Sequence, residues 1–110
     1  MRDISIFLSH IKESIKLIEE YTNGVTIDKF KSSQEIQDKV FRRLEIIGKA
    51  VRNLPDELRK AHPEIEWKKM VGLRDVLIHS YFGIDLDLAW KVIEKDIPDL
   101  KTKIKRISIQ

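Results

Sequence analysis

The stretch SQEIQDKVFRRLEIIGKAVRNL, residues Ser33–Leu54, carries apolar side chains at Ile36, Val40, Leu44, Ile47, Val51 and Leu54. Steps of four, four, three, four and three residues keep all six on one stripe of a 3.6-residue helix. Ser33, followed by Glu35 and Ile36, opens that helix, and LPDEL ends it. A stripe this long must be buried against other elements, and no alternating strand pattern exists elsewhere in the chain to bury it. The partners are therefore other helices.

Toward the N-terminus, Ile4, Leu8, Ile11, Ile15 and Ile18 alternate by four and three, marking a first helix from about Asp3 to Tyr21. TNGVT breaks the pattern, with Gly24 available for a left-handed stop. Thr26 or Asp28 caps a short turn through Phe30. Beyond Leu54, Pro55 is expected as the first helical residue of a short connector, Asp56–Ala61, closed by His62-Pro63. A third helix is expected from about Pro63 through Trp67, Met70, Leu73 and Leu77 to the His79–Tyr81 region, with Gly83 as its stop. Asp85 or Asp87 caps a fourth, carrying Leu88, Trp90, Val92 and Ile93. Pro98 kinks it or starts a fresh segment, and Leu100, Ile104 and Ile107 continue the apolar face. The expected fold class is all-α: an up-and-down helical bundle of four principal helices plus a short connector helix, one domain over residues 1–110.

Composition narrows the function classes. The 110 residues hold no cysteine, which removes disulfides, thiolate nucleophiles and thiolate-ligated metals together. Apolar runs are too short to span a bilayer. Lys12, Glu13, Lys16, Glu19 and Glu20 interrupt the first segment, so neither a membrane span nor a signal peptide is expected, and the cytoplasm is the expected location. The net charge of +3 leans mildly toward a polyanionic partner, and the KTKIKR run, Lys101–Arg106, reads first as a solvated helix end. His10, His62 and His79 are scattered without metal-ligand spacing, so no metal or other cofactor is expected. Phosphate loops and nucleophile elbows are absent from the sequence. Trp67 and Trp90 read as core anchors.

One stretch does not fit a plain bundle. In VGLRDVLIHSYFGIDLD, residues Val71–Asp87, Arg74, His79 and Tyr81 interrupt an apolar helix with polar heads that are costly to bury unpaired. Residues seven apart fall about 20° from alignment on an ideal helix, so Arg74 and Tyr81 share a stripe. His79 is rotated by about 140° from Arg74 and rejoins that face if the helix loosens before Gly83. Asp75, one turn before His79, is placed to orient an imidazole. The plain alternative is an exposed Arg, a His satisfying free carbonyls at a helix end, and a Tyr at the rim. At this chain's own residue frequencies, the three-residue pattern arises by chance on the order of a few times per thousand such chains.

The spacing Arg74-x4-His79-x-Tyr81 resembles the signature of HEPN-domain ribonucleases. In its extended form, RDVLIHSY, it is similar to the HepT-like toxins. RRLEIIGKAVRNLP, HPEIEWKKMVGLRD and YFGIDLDLAWKVIEKDIPDL extend the resemblance over about residues 3 to 105. Two positions depart from the family pattern: Asp75 stands where Asn is frequent, and Lys49 where many relatives carry an acidic residue.

The resemblance implies the toxin ribonuclease of a type VII HepT/MNT pair. It implies metal-independent RNA cleavage in which the ribose 2′-hydroxyl attacks phosphorus to leave a 2′,3′-cyclic phosphate. Arg74 and His79 are then catalytic, with Asp75 in support. The partners implied are RNA, a second copy of the chain in a homodimer, and an MNT-type nucleotidyltransferase antitoxin that neutralises the toxin by AMPylation of Tyr81. A competing reading is a non-catalytic helical subunit that partners a minimal nucleotidyltransferase. A third is a plain dimeric structural bundle.

Overall fold

A computed structural model describes the backbone of residues 4–81 and 85–107, and the side chains of residues 4–78 and 85–107. These residues are helical without a strand: α1 Ile4–Thr22, α2 Ile27–Ser32, α3 Gln34–Arg52, α4 Asp56–Ala61, α5 Trp67–Val71, α6 Leu73–Tyr81, α7 Leu86–Lys91, a π-helical turn Val92–Asp96 and α8 Ile97–Ile104. The expected starting residue Asp3 and the stop at Gly83 lie outside the described residues.

Side-chain caps set several of these boundaries. The Ser33 hydroxyl accepts from the Ile36 amide at 3.2 Å and opens α3. Thr26, rather than Asp28, does the same for α2, accepting from Lys29 at 3.1 Å. Asp85 caps α7 through the Leu88 amide at 3.0 Å. Asp87 instead pairs with Lys31 at 2.9 Å and ties α2 to α7. Past the end of α1, Gly24 takes φ +72°, a left-handed value that glycine adopts without steric cost.

Helix α3 is the spine. It packs against α1, α2, α5 and α6, while α6 leads on to α7 and α8 returns to α1. The stripe that identified it is the centre of the core: Val40, Leu44, Ile47, Val51 and Leu54 are buried in one cluster with Leu8, Ile11, Ile15 and Ile18 of α1 and Leu100 and Ile104 of α8, among others. Truncating one such side chain, as in Leu44→Ala, costs about 2–5 kcal/mol by lost transfer energy and the cavity left behind. Phe30 anchors α2, with its ring edge-on to Phe41 at 6.2 Å and tilted against Trp90 at 5.3 Å.

Three local details differ from the sequence expectation. Pro55 is the extended residue before α4 rather than its first helical residue. The third helix begins at Trp67, not at Pro63, because the buried Trp67 indole donates to the carbonyls of Arg59 at 3.0 Å and His62 at 2.9 Å. Those bonds fold the connector back over the ring and hold the intervening residues in turns. That helix is also interrupted at Gly72, whose ψ of −2° unwinds the backbone between α5 and α6.

Pro98 lies in the first turn of α8, the fresh segment expected there, and the π-helical turn joins that segment to α7 without a loop. Lacking an amide hydrogen, the proline cannot continue an ordinary helical ladder, and the chain widens just before it. The Ile97 amide reaches back five residues to the Val92 carbonyl. Lys69 of α5 then braces this turn by pairing with Asp96 at 3.0 Å, a hydrogen bond that holds the Lys69 ammonium above the ordinary lysine range.

Candidate active site

Leu73, the first residue of α6, is buried in the core. Anchoring it inward leaves the next two residues, Arg74 and Asp75, exposed to solvent. Arg74 lines a groove of about 300 Å3 between α3 and the α5–α6 break. The opposite wall is α3, which contributes Glu45, Gly48, Lys49 and Arg52, and Val71 and Leu44 complete the lining.

Charge in this groove is mostly positive. Glu45 is flanked on its own helix by two cations, Arg42 at 2.9 Å and Lys49 at 3.6 Å. Arg52 and Arg74 make no ion pair among the described residues. Gly48 leaves the floor without a side chain. A Cβ at that position would lie 3.5 Å from the Met70 carbonyl and 4.0 Å from the Leu73 Cβ, which is how near α3 passes to α5 and α6.

Sequence reading singled out Arg74 and Lys49 and missed Glu45, Gly48 and Arg52. A signal for them was present. Glu45, Lys49 and Arg52 follow steps of four and three, a second stripe of α3 beside the apolar one. Only the packing of α6 against that stripe gives it meaning.

The other predicted residues fall as follows. Asp75 is exposed one turn before His79 on the same helix. The backbone of His79 and Tyr81 belongs to α6, so the helix that carries Arg74 continues without a break through both. Their side chains lie outside the described residues. Ile78, just before His79, is 51% exposed, a large apolar side chain left in solvent beside the motif. His10 is exposed and lines a different groove, between α1 and α3. His62 ends α4 and contacts Glu64 at 3.2 Å. Among the described residues, no three His, Asp or Glu side chains cluster as metal ligands would, and no helix is long and apolar enough to cross a membrane.

A basic strip lies on another face. Lys12, Lys16, Lys101 and Lys105 line a groove between α1 and α8, where Lys101 pairs with Glu19 at 2.9 Å. Within the KTKIKR run, Ile104 is buried while Lys105 and Arg106 are exposed, as expected of a helix end.

A family model described as ribonuclease HepT-like matches residues 11–107. The chain is 53% identical over 106 residues to a Methanocaldococcus jannaschii protein named as a gamma-glutamylcyclotransferase and, provisionally, an RNase. That match covers 96% of this chain and 48% of the relative, so the chain spans about half of that protein's length. It is 44% identical over 101 residues to a Thermococcus cleftensis protein named "Probable ribonuclease HepT", covering 92% of each. A second Methanocaldococcus jannaschii protein, provisionally named an RNase, is 41% identical over 104 residues, covering 94% of this chain and 95% of the relative. No solved structure matches the chain.

Proposed function

The chain belongs to the ribonuclease HepT-like family, and on that premise we propose that it is a toxin ribonuclease that cleaves RNA without a metal. The observation that carries this reading is the position of Arg74 on the wall of a cationic groove, on the same helix as His79 and five residues before it. In such a reaction the ribose 2′-oxygen attacks the adjacent phosphorus and gives up its proton to a base. The 5′-oxygen leaves and takes a proton from an acid. The products are a 2′,3′-cyclic phosphate and a 5′-hydroxyl.

His79 serves as base or acid, a proton-transfer role that contributes roughly 10² to 10⁴ in rate. Arg74 neutralises the charge gathering on the phosphoryl oxygens with a planar fork of N–H donors. Asp75 supports the imidazole from one turn away. One histidine does not easily serve both faces of an in-line displacement. A homodimer bringing two motifs to one cleft supplies the second, and the exposed Ile78 on α6 supports burial of that helix against another copy. Tyr81 is the off switch: its phenolic oxygen attacks the α-phosphorus of ATP held by a partner nucleotidyltransferase, pyrophosphate leaves, and the attached AMP repels RNA phosphates.

The test is cleavage of single-stranded RNA by the purified protein in the presence of a chelator, with end-group analysis of the fragments. Cyclic phosphate ends in wild type, lost in Arg74→Ala and His79→Ala, support the proposal. Cleavage that persists in both variants overturns the site. Mixed Arg74→Ala and His79→Ala chains test the dimer, because activity in each mutant homodimer equal to wild type would sink the composite site. Mass spectrometry after co-expression with a minimal nucleotidyltransferase tests Tyr81. An unmodified Tyr81 in protein that is nonetheless neutralised argues against the switch.

A further inference from the structure

We infer that Arg52 and Lys49 of α3 form a subsite for the RNA phosphate next to the one being cleaved. The inference rests on the ribonuclease reading and extends it from the reacting phosphate to the path of the strand.

Five observations converge on this groove. Arg52 and Lys49 line the same cavity as Arg74, opposite it, so a strand held by Arg74 passes along α3. The balance of charge within the lining is three cations to one anion, Glu45. Glu45 is engaged outside the groove centre by Arg42 at 2.9 Å, and Lys49 reaches it only at 3.6 Å, which leaves the lysine ammonium available to a stronger anion. Arg52 makes no ion pair among the described residues. Finally, Gly48 lets α3 pass close to α5 and α6, which brings the α3 cations into one groove with Arg74.

The ligand class follows from the chemistry. A single small anion would need one enclosed cradle of donors. This groove instead sets three cations on two facing helices, Arg74 on α6 and Lys49 and Arg52 on α3, which a chain of phosphates can engage in turn. Arg52 and Lys49 touch phosphate and sugar edges, so they add affinity and register without base preference. They are binding residues. Proton transfer stays with His79 and charge neutralisation at the cut with Arg74.

Salt dependence reads this directly. Each phosphate contact to single-stranded nucleic acid contributes about 0.7 to the slope of log affinity against log salt, through release of counterions. Binding of a labelled single-stranded RNA is measured from low to high salt in His79→Ala, which keeps the strand intact, and in the same background with Arg52→Gln, Lys49→Gln and both. Both side chains are exposed, so folding is preserved and is checked by circular dichroism. Each substitution is expected to weaken binding roughly three- to tenfold at low salt and to lower the slope by about 0.7, with the double variant lowering it by about twice that. On the otherwise wild-type enzyme, KM rises and kcat holds within about threefold.

An unchanged slope in the double variant overturns the subsite. So does a slope that falls only when Lys12 and Lys105, on the α1–α8 face, are replaced by Gln. Absence of RNA cleavage by the wild-type protein overturns the ribonuclease reading as well. Cleavage with an unchanged slope overturns the subsite alone.

Discussion

Lys49 sits 3.6 Å from Glu45, one turn away on α3, and both line the groove that Arg74 closes from α6. The distance is longer than that of the Arg42–Glu45 pair on the same carboxylate, so Glu45 weakens the positive field of the groove without cancelling it. Replacing Glu45 with Gln removes the one anion of the lining. We expect KM for RNA to fall roughly two- to fourfold at low salt and the gain to vanish near 1 M salt, where charges interact over only about 3 Å. Steady-state kinetics at two ionic strengths measures this. A KM that does not move at low salt would show that Glu45 does not face the strand.

Gly48 separates stability from groove shape. The Cβ of an alanine would make ordinary contact with Met70 and Leu73, and alanine in a helix interior is favoured over glycine by about 0.5–1 kcal/mol. Gly48→Ala should therefore be more stable to urea. Gly48→Leu extends into the space between α3 and α6 and should weaken RNA binding at least as much as Arg52→Gln. Equal binding by the Leu variant would place the strand elsewhere.

Ser14 is fully buried at the α1–α3 seam, and its hydroxyl finds no hydrogen-bond partner among the described residues. A buried unsatisfied hydroxyl is destabilising, and removing it relieves that cost. Ser14→Ala should stabilise the fold by about 1 kcal/mol, which for a chain of this size raises Tm by roughly 4–8 °C. Calorimetry decides it, and a lowered Tm would show that the hydroxyl does bond in solution.

The Lys69–Asp96 bridge predicts a pH dependence. The folded-state value of Lys69 is raised, the hydrogen bond it donates to Asp96 being the first cause. A group raised on folding contributes its stability in full below its unfolded value and loses it as pH climbs through the folded one. Asp96→Asn should therefore be less stable than wild type at neutral pH, and the two should converge in strongly alkaline solution. Denaturant midpoints across that range test the sign. A gap that widens with alkali contradicts it.

How much of this was legible before the fold was known differs by feature. The stripe from Ile36 to Leu54 and the cap at Ser33 were readable because each depends on residues within a few positions of one another, and by the same local rule the cap of α7 was narrowed to Asp85 or Asp87. The start at Trp67 rather than Pro63 was not readable, because it depends on how Trp67 ties back to Arg59 and His62, a contact that periodicity does not encode. The widened turn before Pro98 was half legible: proline announces a disturbance, but whether the chain kinks, stops or inserts a wider turn depends on what packs around it. The site divides in the same way. Arg74 and His79 share one helix and one short spacing, so the motif was visible. Arg52 comes from a different helix and joins Arg74 only through packing of α6 on α3.

Arg74 itself gives the sharpest test of whether charge or geometry matters at the cut. A lysine at this exposed position keeps the positive charge and the fold but loses the planar fork that meets two phosphoryl oxygens at once. If Arg74 acts chiefly as the transition-state clamp, Arg74→Lys should bind RNA with nearly the wild-type salt slope yet lose most of kcat. The loss should approach the roughly 10² to 10³ expected for removing a preorganised donor outright. If Arg74 were only one more phosphate anchor like Arg52, lysine would restore both binding and turnover. Measuring kcat and salt slope on the same Arg74→Lys preparation separates the two, because the slope reports the charge and kcat reports the fork.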